Sequence, residues 1–458
     1  MITIPLFEAS VAVGGRPNKA ISPMDYVLNI TQQSSEVKSG TLFVALQGQK
    51  ADGHDFIKEA EEKGAVAAVV EKLMPNISIP QIIVPSTEVA LGDLGRIWRC
   101  RLDIPVIAVT GSVGKTTTKE LIAHVLQSNF KTHKSRKNYN NQLGVPIELS
   151  RLKRNHECSV VEFGMRDLNQ INYLSKIARP DFGVITNIGV SHIEILKSRE
   201  NIAKAKAEIF EGMDTNGIAF LNIDDDFYEF ISKMANCKII SYGKNEKADI
   251  RITDIELVDN MFPRFKLNGI EIHMEKCTGE YNAYNAAIAF GIAKEMDVDT
   301  DTIAKQISSF VQPERRGVSV RLKNGALILD STYNAAPDSI IANLKTISKR
   351  KNTKHRLVCI IGDMLELGSH SKKAHEQIGK EIATLENSVD MLITVGDYTK
   401  YTNGLSEVKE SHHFEYSEKA SAFMSDKITG YDLILVQGSN GIKLDLIVTD
   451  LEQKFGIA

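Results

Sequence analysis

The sequence predicts an α/β protein of roughly three domains. Short β-branched runs alternate with amphipathic stretches, the pattern of parallel sheets joined by crossover helices. One such run, Val106 to Thr110, passes through a glycine turn directly into a helical segment. A chain of 458 residues also exceeds one ordinary core, at about 150 residues per domain.

Near the start, Leu42 to Leu46 reads as a strand and His54 to Lys63 as a helix. Val66 to Val70 and Gln81 to Val84 read as further strands, and Thr87 to Arg99 as a helix. Leu102-Asp-Ile-Pro105 reads as a linker, which puts the first boundary at residue 102. The central region opens with strand Val106 to Thr110, then a helix whose Leu121, Ile122, Val125 and Leu126 share one face. Buried strands follow at Ser159 to Phe163 and Phe182 to Thr186. A second break falls at Gln312-Pro-Glu314, followed by strands at Ala326 to Leu329, Leu357 to Ile361, Met391 to Val395 and Leu433 to Val436. The expected units are 1–102, 103–313 and 314–458.

Hydrophobic residues form 43% and charged residues 25% of the chain, the balance of a soluble globular protein. With 55 basic and 58 acidic residues, the net charge of -3 gives no broad attraction to nucleic acid or an anionic membrane. An anionic ligand therefore needs a local site. Met1 to Ser10 lacks the pattern of a secretory signal, and no apolar run approaches the ~20 residues of a membrane span. The five cysteines are odd in number and never in a C-x-x-C pair, which argues against a disulfide framework or a zinc knuckle. The expected setting is the reducing cytoplasm.

The most informative segment is Val106-Ile-Ala-Val-Thr-Gly-Ser-Val-Gly-Lys-Thr-Thr-Thr118. Gly111 and Gly114 allow a tight turn that directs backbone N–H groups inward, around Ser112 and Val113, and the helix starting near Lys115 aims its positive end at the same place. Lys115 is placed to neutralise the β- and γ-phosphates of ATP, Thr116 to bind Mg²⁺, and Thr117 completes the hydroxyl run. The position five before Gly114 is Val109 rather than glycine, so the spacing departs from the full rule; the strand and helix context favours a nucleotide loop over a plain turn.

Glu162, at the end of a buried strand, would point into the crevice where α/β proteins bind ligands. His192, in Asn187-Ile-Gly-Val-Ser-His192, would open onto the same edge. Each also has an ordinary structural reading; with Thr116 they could supply metal ligands bridging phosphate and substrate. Lys206, in Ala203-Lys-Ala-Lys-Ala-Glu-Ile-Phe210, reads on its own as a solvated helix lysine.

Together these residues resemble the Mur ligases essentially end to end, most closely the members that add D-alanyl-D-alanine to UDP-N-acetylmuramoyl-tripeptide. Thr110 to Thr117 is similar to the family's phosphate loop, including its missing early glycine; Asn138-Tyr-Asn-Asn-Gln-Leu-Gly-Val-Pro146 and Gly362-Asp-Met-Leu-Glu-Leu-Gly368 are similar to stretches typical of those members. The resemblance implies an N-terminal domain for the UDP-linked substrate, a central P-loop ATPase-type domain and a C-terminal Rossmann-like domain for the amine. It implies Lys115, Lys206, His192 and Glu162 as catalytic residues. Thr116, Glu162 and His192 would be Mg²⁺ ligands, with Lys206 joining them when carbamylated. Asn282 and Asn285 would face adenine, although Tyr281 stands where the family usually has histidine. Arg316 matches the phosphate-contacting arginine, with Arg315 as a possible substitute, and Asp330 takes a ribose or positioning role. Ser34, Asn138, Asn140, Asn141, Tyr333 and Asn334 would contact substrates.

Several positions depart from the family pattern. Gln33-Ser34-Ser35 stands where relatives carry Asp-Ser-Arg, Ser331 replaces an aspartate, and Val436-Gln-Gly-Ser-Asn440 replaces Lys-Gly-Ser-Arg, while Ala51-Asp-Gly-His-Asp-Phe56 is retained. The implied activity is an ATP-dependent ligation through an acyl phosphate by a cytoplasmic monomer without nucleic-acid partner or membrane insertion. The alternatives are a family ligase with another amine or acceptor, and a non-catalytic nucleotide-binding homologue.

Overall fold

The computed structural model describes residues 2–48, 51–259, 261–365 and 367–458; Met1 of the N-terminal segment and Glu366 of the Gly362 to Gly368 motif lie outside the described residues. The strands form three principal sheets and a small two-stranded pair. The first has the order Arg16–Pro17, Gln81–Ile83, Ala65–Val70, Thr41–Val44, Asn29–Thr31, parallel except for its first pair. The third has the order Val318–Arg321, Leu327–Ser331, Asp432–Gln437, Arg356–Gly362, Met391–Val395, Glu410–Phe414, again parallel except at its first pair.

The central sheet positions the phosphate loop. Val106–Thr110 lies between Cys158–Glu162 and Phe182–Ile185, with Thr132–Lys134 outside the former. On the other side follow Ile218–Asn222, Lys238–Gly243 and Ile250–Val258, all parallel, and then the antiparallel strands Phe262–Leu267 and Ile270–His273. The chain leaves Val106–Thr110 toward one side for its next two strands and crosses to the other side at Phe182. Such a reversal opens a crevice at the carboxyl ends of the flanking strands.

Burial on both faces explains the apolar run Val106, Ile107, Ala108, Val109, each fully buried. Helix Lys115–Leu126 lays Leu121, Ile122, Val125 and Leu126 into this core with Ala283, Ala286, Ala287 and Phe290 of helix Tyr281–Glu295. The alanines let the two helices approach closely. Helix Thr87–Arg99 is shared between units. Its Leu91, Leu94 and Trp98 belong to one apolar cluster with Val69 and Ile82 of the first sheet and with Ile147, Leu174 and Ile177 of central helices. Gly95 lies against Pro146, and Trp98 Nε1 donates to the Leu152 carbonyl at 3.1 Å.

Two expectations need correction. The helix expected from His54 to Lys63 begins as a 3₁₀ turn, Gly53–Phe56, and becomes α-helical only at Ile57–Glu62. Asp52 caps that turn by accepting from the His54 N–H at 3.0 Å. Lys206, expected in solvent, is 2% exposed. Lys204 and Lys206 are two positions apart, about 200° around a helix, so they cannot share a face; Lys204 is the exposed one. Strands between residues 218 and 273 received no individual assignment from sequence. Those from Ile250 to His273 carry Arg251, Glu256, Arg264 and Glu271 at exposed positions, so their apolar signal is diluted.

Tyr242 ties the central sheet to the site. Its fully buried hydroxyl donates to the carbonyls of Ile185 and Thr186 at 3.0 and 3.1 Å, at the end of the strand beside the phosphate loop. Tyr242→Phe is expected to lower stability by about 1–3 kcal/mol by leaving these acceptors without the donor, read as a lower urea midpoint at unchanged m-value.

Candidate functional site

The loop after Val106–Thr110 turns with Gly111 at φ 151° and Gly114 at φ 85°, both in the region that favours glycine. A Cβ at Gly111 would overlap Thr186 Oγ1. Asn187 braces the turn: its carbonyl accepts from Ser112 N–H at 3.0 Å, its Oδ1 from Val113 N–H at 3.1 Å, and its Nδ2 donates to the Val113 carbonyl at 3.1 Å. Thr186 Oγ1 donates to that same carbonyl at 2.7 Å. Lys115 Nζ folds back onto the Gly111 and Ser112 carbonyls at 2.9 and 3.2 Å. Loss of solvent around it lowers its pKa, Glu162 opposing and Arg316 adding to the effect.

Glu162, 3% exposed, is held from two directions. Thr116 Oγ1 donates to its Oε2 and Asn140 Nδ2 to its Oε1, each at 2.8 Å. These bonds draw three expected site residues from separate segments into one contact set. His192 opens a short helix at φ 62°, a strained conformation of the kind found at ligand clamps. Burial, then the charges of Lys115, Lys206 and Arg166, push its pKa down to about 4, so the imidazole is neutral near pH 7. Lys206 is held well below the ordinary lysine range by burial and by Lys115.

No group of three or more His, Cys, Asp or Glu side chains poised for a metal occurs among the described residues. The donors here are a hydroxyl, one carboxylate and a neutral imidazole. That set suits a cation that takes its remaining ligands from phosphate and water, as Mg²⁺ commonly does.

These groups line one cavity of about 860 Å³. Gly111, Ser112, Val113, Gly114, Lys115, Thr116 and Thr117 form one part of its wall; Asn138, Asn140, Asn141, Glu162, His192, Lys206 and Asn285 form another. Arg316, Tyr333 and Asn334 close it from the C-terminal side, the Arg316 guanidinium stacked 3.9 Å over the Tyr333 ring. Arg315, Ser331 and Tyr281 also line it, and Arg315 pairs with Asp445 at 2.7 Å.

Three expected residues lie off this wall. Asn282 is fully buried behind Asn285, donating to Thr278 O at 2.8 Å. The Asp330 carboxylate accepts from the Thr332 N–H and Oγ1 at 3.0 and 2.8 Å. Ser34 sits in a 3₁₀ turn of the N-terminal unit, where its carbonyl accepts from Lys63. The cavity also includes Arg166, Asn187, Asp338 and Asn343, which carry no expected role. Arg166 and Asn187 follow the carboxyl ends of parallel strands, a position that could have marked them.

The α/β architecture of three principal sheets is shared with proteins of known structure. Family models match at residues 27–96 (Mur ligase family, catalytic domain), 109–293 (Mur ligase middle domain) and 315–440 (Mur ligase, glutamate ligase domain). The chain belongs to the Mur ligase family. Within it, the chain is 33% identical to the UDP-N-acetylmuramoyl-tripeptide--D-alanyl-D-alanine ligase of Buchnera aphidicola subsp. Baizongia pistaciae, over 93% of both chains. It is 31% identical to the Bacillus subtilis protein of the same name, over 92% of both. Among solved structures, MurF from Acinetobacter baumannii superposes with a TM-score of 0.91 at 30% identity, covering 99% of this chain and 100% of that one. MurF from Thermotoga maritima in complex with ADP gives 0.84 at 26% identity, covering 93% and 97%.

Gly111→Ala is expected to weaken nucleotide binding more than tenfold by calorimetric titration, because the methyl group and Thr186 compete for one space. For His192, the folded pKa of about 4 lies below the ordinary value of 6.5, so on acidification the unfolded chain takes up the proton first. Its contribution to stability is therefore intact above pH 6.5 and is lost progressively as pH falls toward 4. An NMR titration should place the His192 imidazole midpoint near 4; a midpoint above 6 would contradict this environment.

Proposed function

We propose that this chain is an ATP-dependent amide ligase of peptidoglycan precursor synthesis, joining D-alanyl-D-alanine to UDP-N-acetylmuramoyl-tripeptide with release of ADP and phosphate. The observation that carries the reading is the phosphate loop sharing one cavity with Glu162, His192 and Lys206, closed by Arg316, Tyr333 and Asn334. The names of the full-length relatives point to the same substrates.

In this scheme the loop N–H groups and Lys115 hold the triphosphate while its γ-phosphoryl passes to the acceptor carboxylate. The amine then attacks the acyl phosphate, forming the amide and expelling phosphate. Catalysis is chiefly alignment and charge neutralisation. Lys115 leaves the loop carbonyls to meet the phosphates, Arg316 adds positive charge from the opposite wall, and Asn285 borders adenine with Asn282 behind it. Thr116, Glu162 and His192 would hold Mg²⁺, which supplies further neutralisation of phosphate charge. Residues 1–102 bind the UDP-linked acceptor through Ser34 and its neighbours, 103–313 bind ATP and 314–458 the amine, with Asn138, Asn140, Asn141, Tyr333 and Asn334 contacting substrates and Asp330 shaping the turn before Tyr333. The protein acts as a monomer in the cytoplasm; among the described residues no helix is long and apolar enough to cross a membrane.

Phosphate release should require ATP, the UDP-tripeptide and the dipeptide together. Release unchanged without the dipeptide would sink the assignment, and a panel of other amines would then identify the family activity or its absence. Lys206 supports a second test. A lysine depressed by burial gives up its proton more readily, and its neutral form can add Nζ to CO₂, releasing a proton and leaving a carbamate anion. Lys206→Ala should lose at least 100-fold in kcat with its melting temperature nearly unchanged. Wild-type activity should fall in CO₂-depleted buffer and recover with bicarbonate; indifference to bicarbonate would remove the carbamate from the scheme.

A further inference from the structure

Helix Pro337–Arg350 contributes Ser339, Ala342 and Asn343 to the cavity wall, the spacing of a single helical face. Asn343 is 3% exposed, and its Oδ1 has no hydrogen-bond partner. A buried acceptor in that state is costly and calls for an explanation.

One N–H of its amide is committed. Asn343 Nδ2 donates to Gln437 Oε1 at 2.9 Å, and Gln437 Nε2 donates to Ser339 Oγ at 3.0 Å. Ser339 fixes the direction of this chain. Its hydroxyl proton goes to the Ala336 carbonyl at 2.8 Å, so toward Gln437 its oxygen can only accept. Gln437 must then present Nε2 to Ser339 and Oε1 to Asn343, and Asn343 must present Nδ2 to Gln437. The atom left without any partner is therefore the oxygen, an acceptor. The only charged residue this helix brings to the cavity is Asp338, and fully buried Gln437 adds none. On its cavity side this helix therefore offers an unpartnered acceptor, Asn343 Oδ1, beside the Asp338 carboxyl, which match an N–H-bearing ligand rather than a carboxylate.

We propose that Asn343 Oδ1 accepts a hydrogen bond from an N–H of the incoming amine substrate, making Asn343 a specificity-determining residue, with Gln437 and Ser339 as positioning residues. The assignment rests on the ligase reading above. The donor is either the amino group or the internal amide of the dipeptide.

The test compares D-alanyl-D-alanine with its ester analogue, in which oxygen replaces the internal N–H. In Asn343→Ala and the near-isosteric Asn343→Leu, KM for the dipeptide should rise about five- to tenfold, the scale of one hydrogen bond, while KM for ATP and for the UDP-linked acceptor stays within twofold. An equal rise for the ester identifies the amino group as donor; no rise for the ester identifies the internal amide. Gln437→Leu should give the same dipeptide defect, and combining it with Asn343→Ala should add little, as expected when one residue acts through the other. Unchanged dipeptide KM in both Asn343 variants overturns the proposal. If the wild-type protein releases no phosphate with either amine donor, the ligase reading falls and this assignment with it.

Discussion

Backbone N–H groups can gather around an anion only where a chain turns sharply at the end of a rigid strand with no side chain in the way. Gly111, pressed against Thr186, meets that constraint, and the surrounding site is arranged around it. The neighbouring strand end supplies Asn187 as a brace, and the strand on the other flank ends in Glu162, which reaches across to Thr116. Because all three strands are parallel, their carboxyl ends open on the same side. One topological reversal thereby brings nucleotide, carboxylate and imidazole to a common crevice.

How much of this was legible in the sequence depended on the range of the interactions. The strand Val106–Thr110 and helix Thr87–Arg99 match their expected bounds because local periodicity and boundary signals agree. The phosphate loop was readable because its chemistry is contiguous. Lys206 reads locally as solvated, and only the family resemblance brings it to the site, because whether a helical lysine faces water depends on what packs over it, which no local pattern records. Asn187, Asp338 and Asn343 carry no local signal for a related reason: their partners lie at residues 112 and 113, 190, and 437 respectively. Asn282 and Asp330 show the converse. Both stand beside lining residues, yet each side chain is engaged in its own local turn.

The three units are joined by different means. The C-terminal unit meets the central one mainly through polar or close backbone contacts, Lys349 with Glu280, Asp338 beside Gly189 and Glu194 beside Gly368, with Met261 of the central unit reaching into its apolar cluster. The linking segment contains Arg315 and Gly317 at positive φ. Polar contacts of this kind exchange readily with water, so they favour a wall that can open and shut around reactants. The N-terminal unit instead shares a continuous apolar cluster with the central one.

That shared cluster bears on where the protein can be divided. Helix Thr87–Arg99 precedes the linker and would be assigned by chain order to the first unit, but it covers Ile147, Leu174 and Ile177 of the second. A fragment beginning at residue 103 would leave that apolar surface bare, and one ending at residue 102 would carry a helix stripped of half its packing. Chain order and mechanical unit therefore part company here: the smallest severable body includes both of the first two sheets.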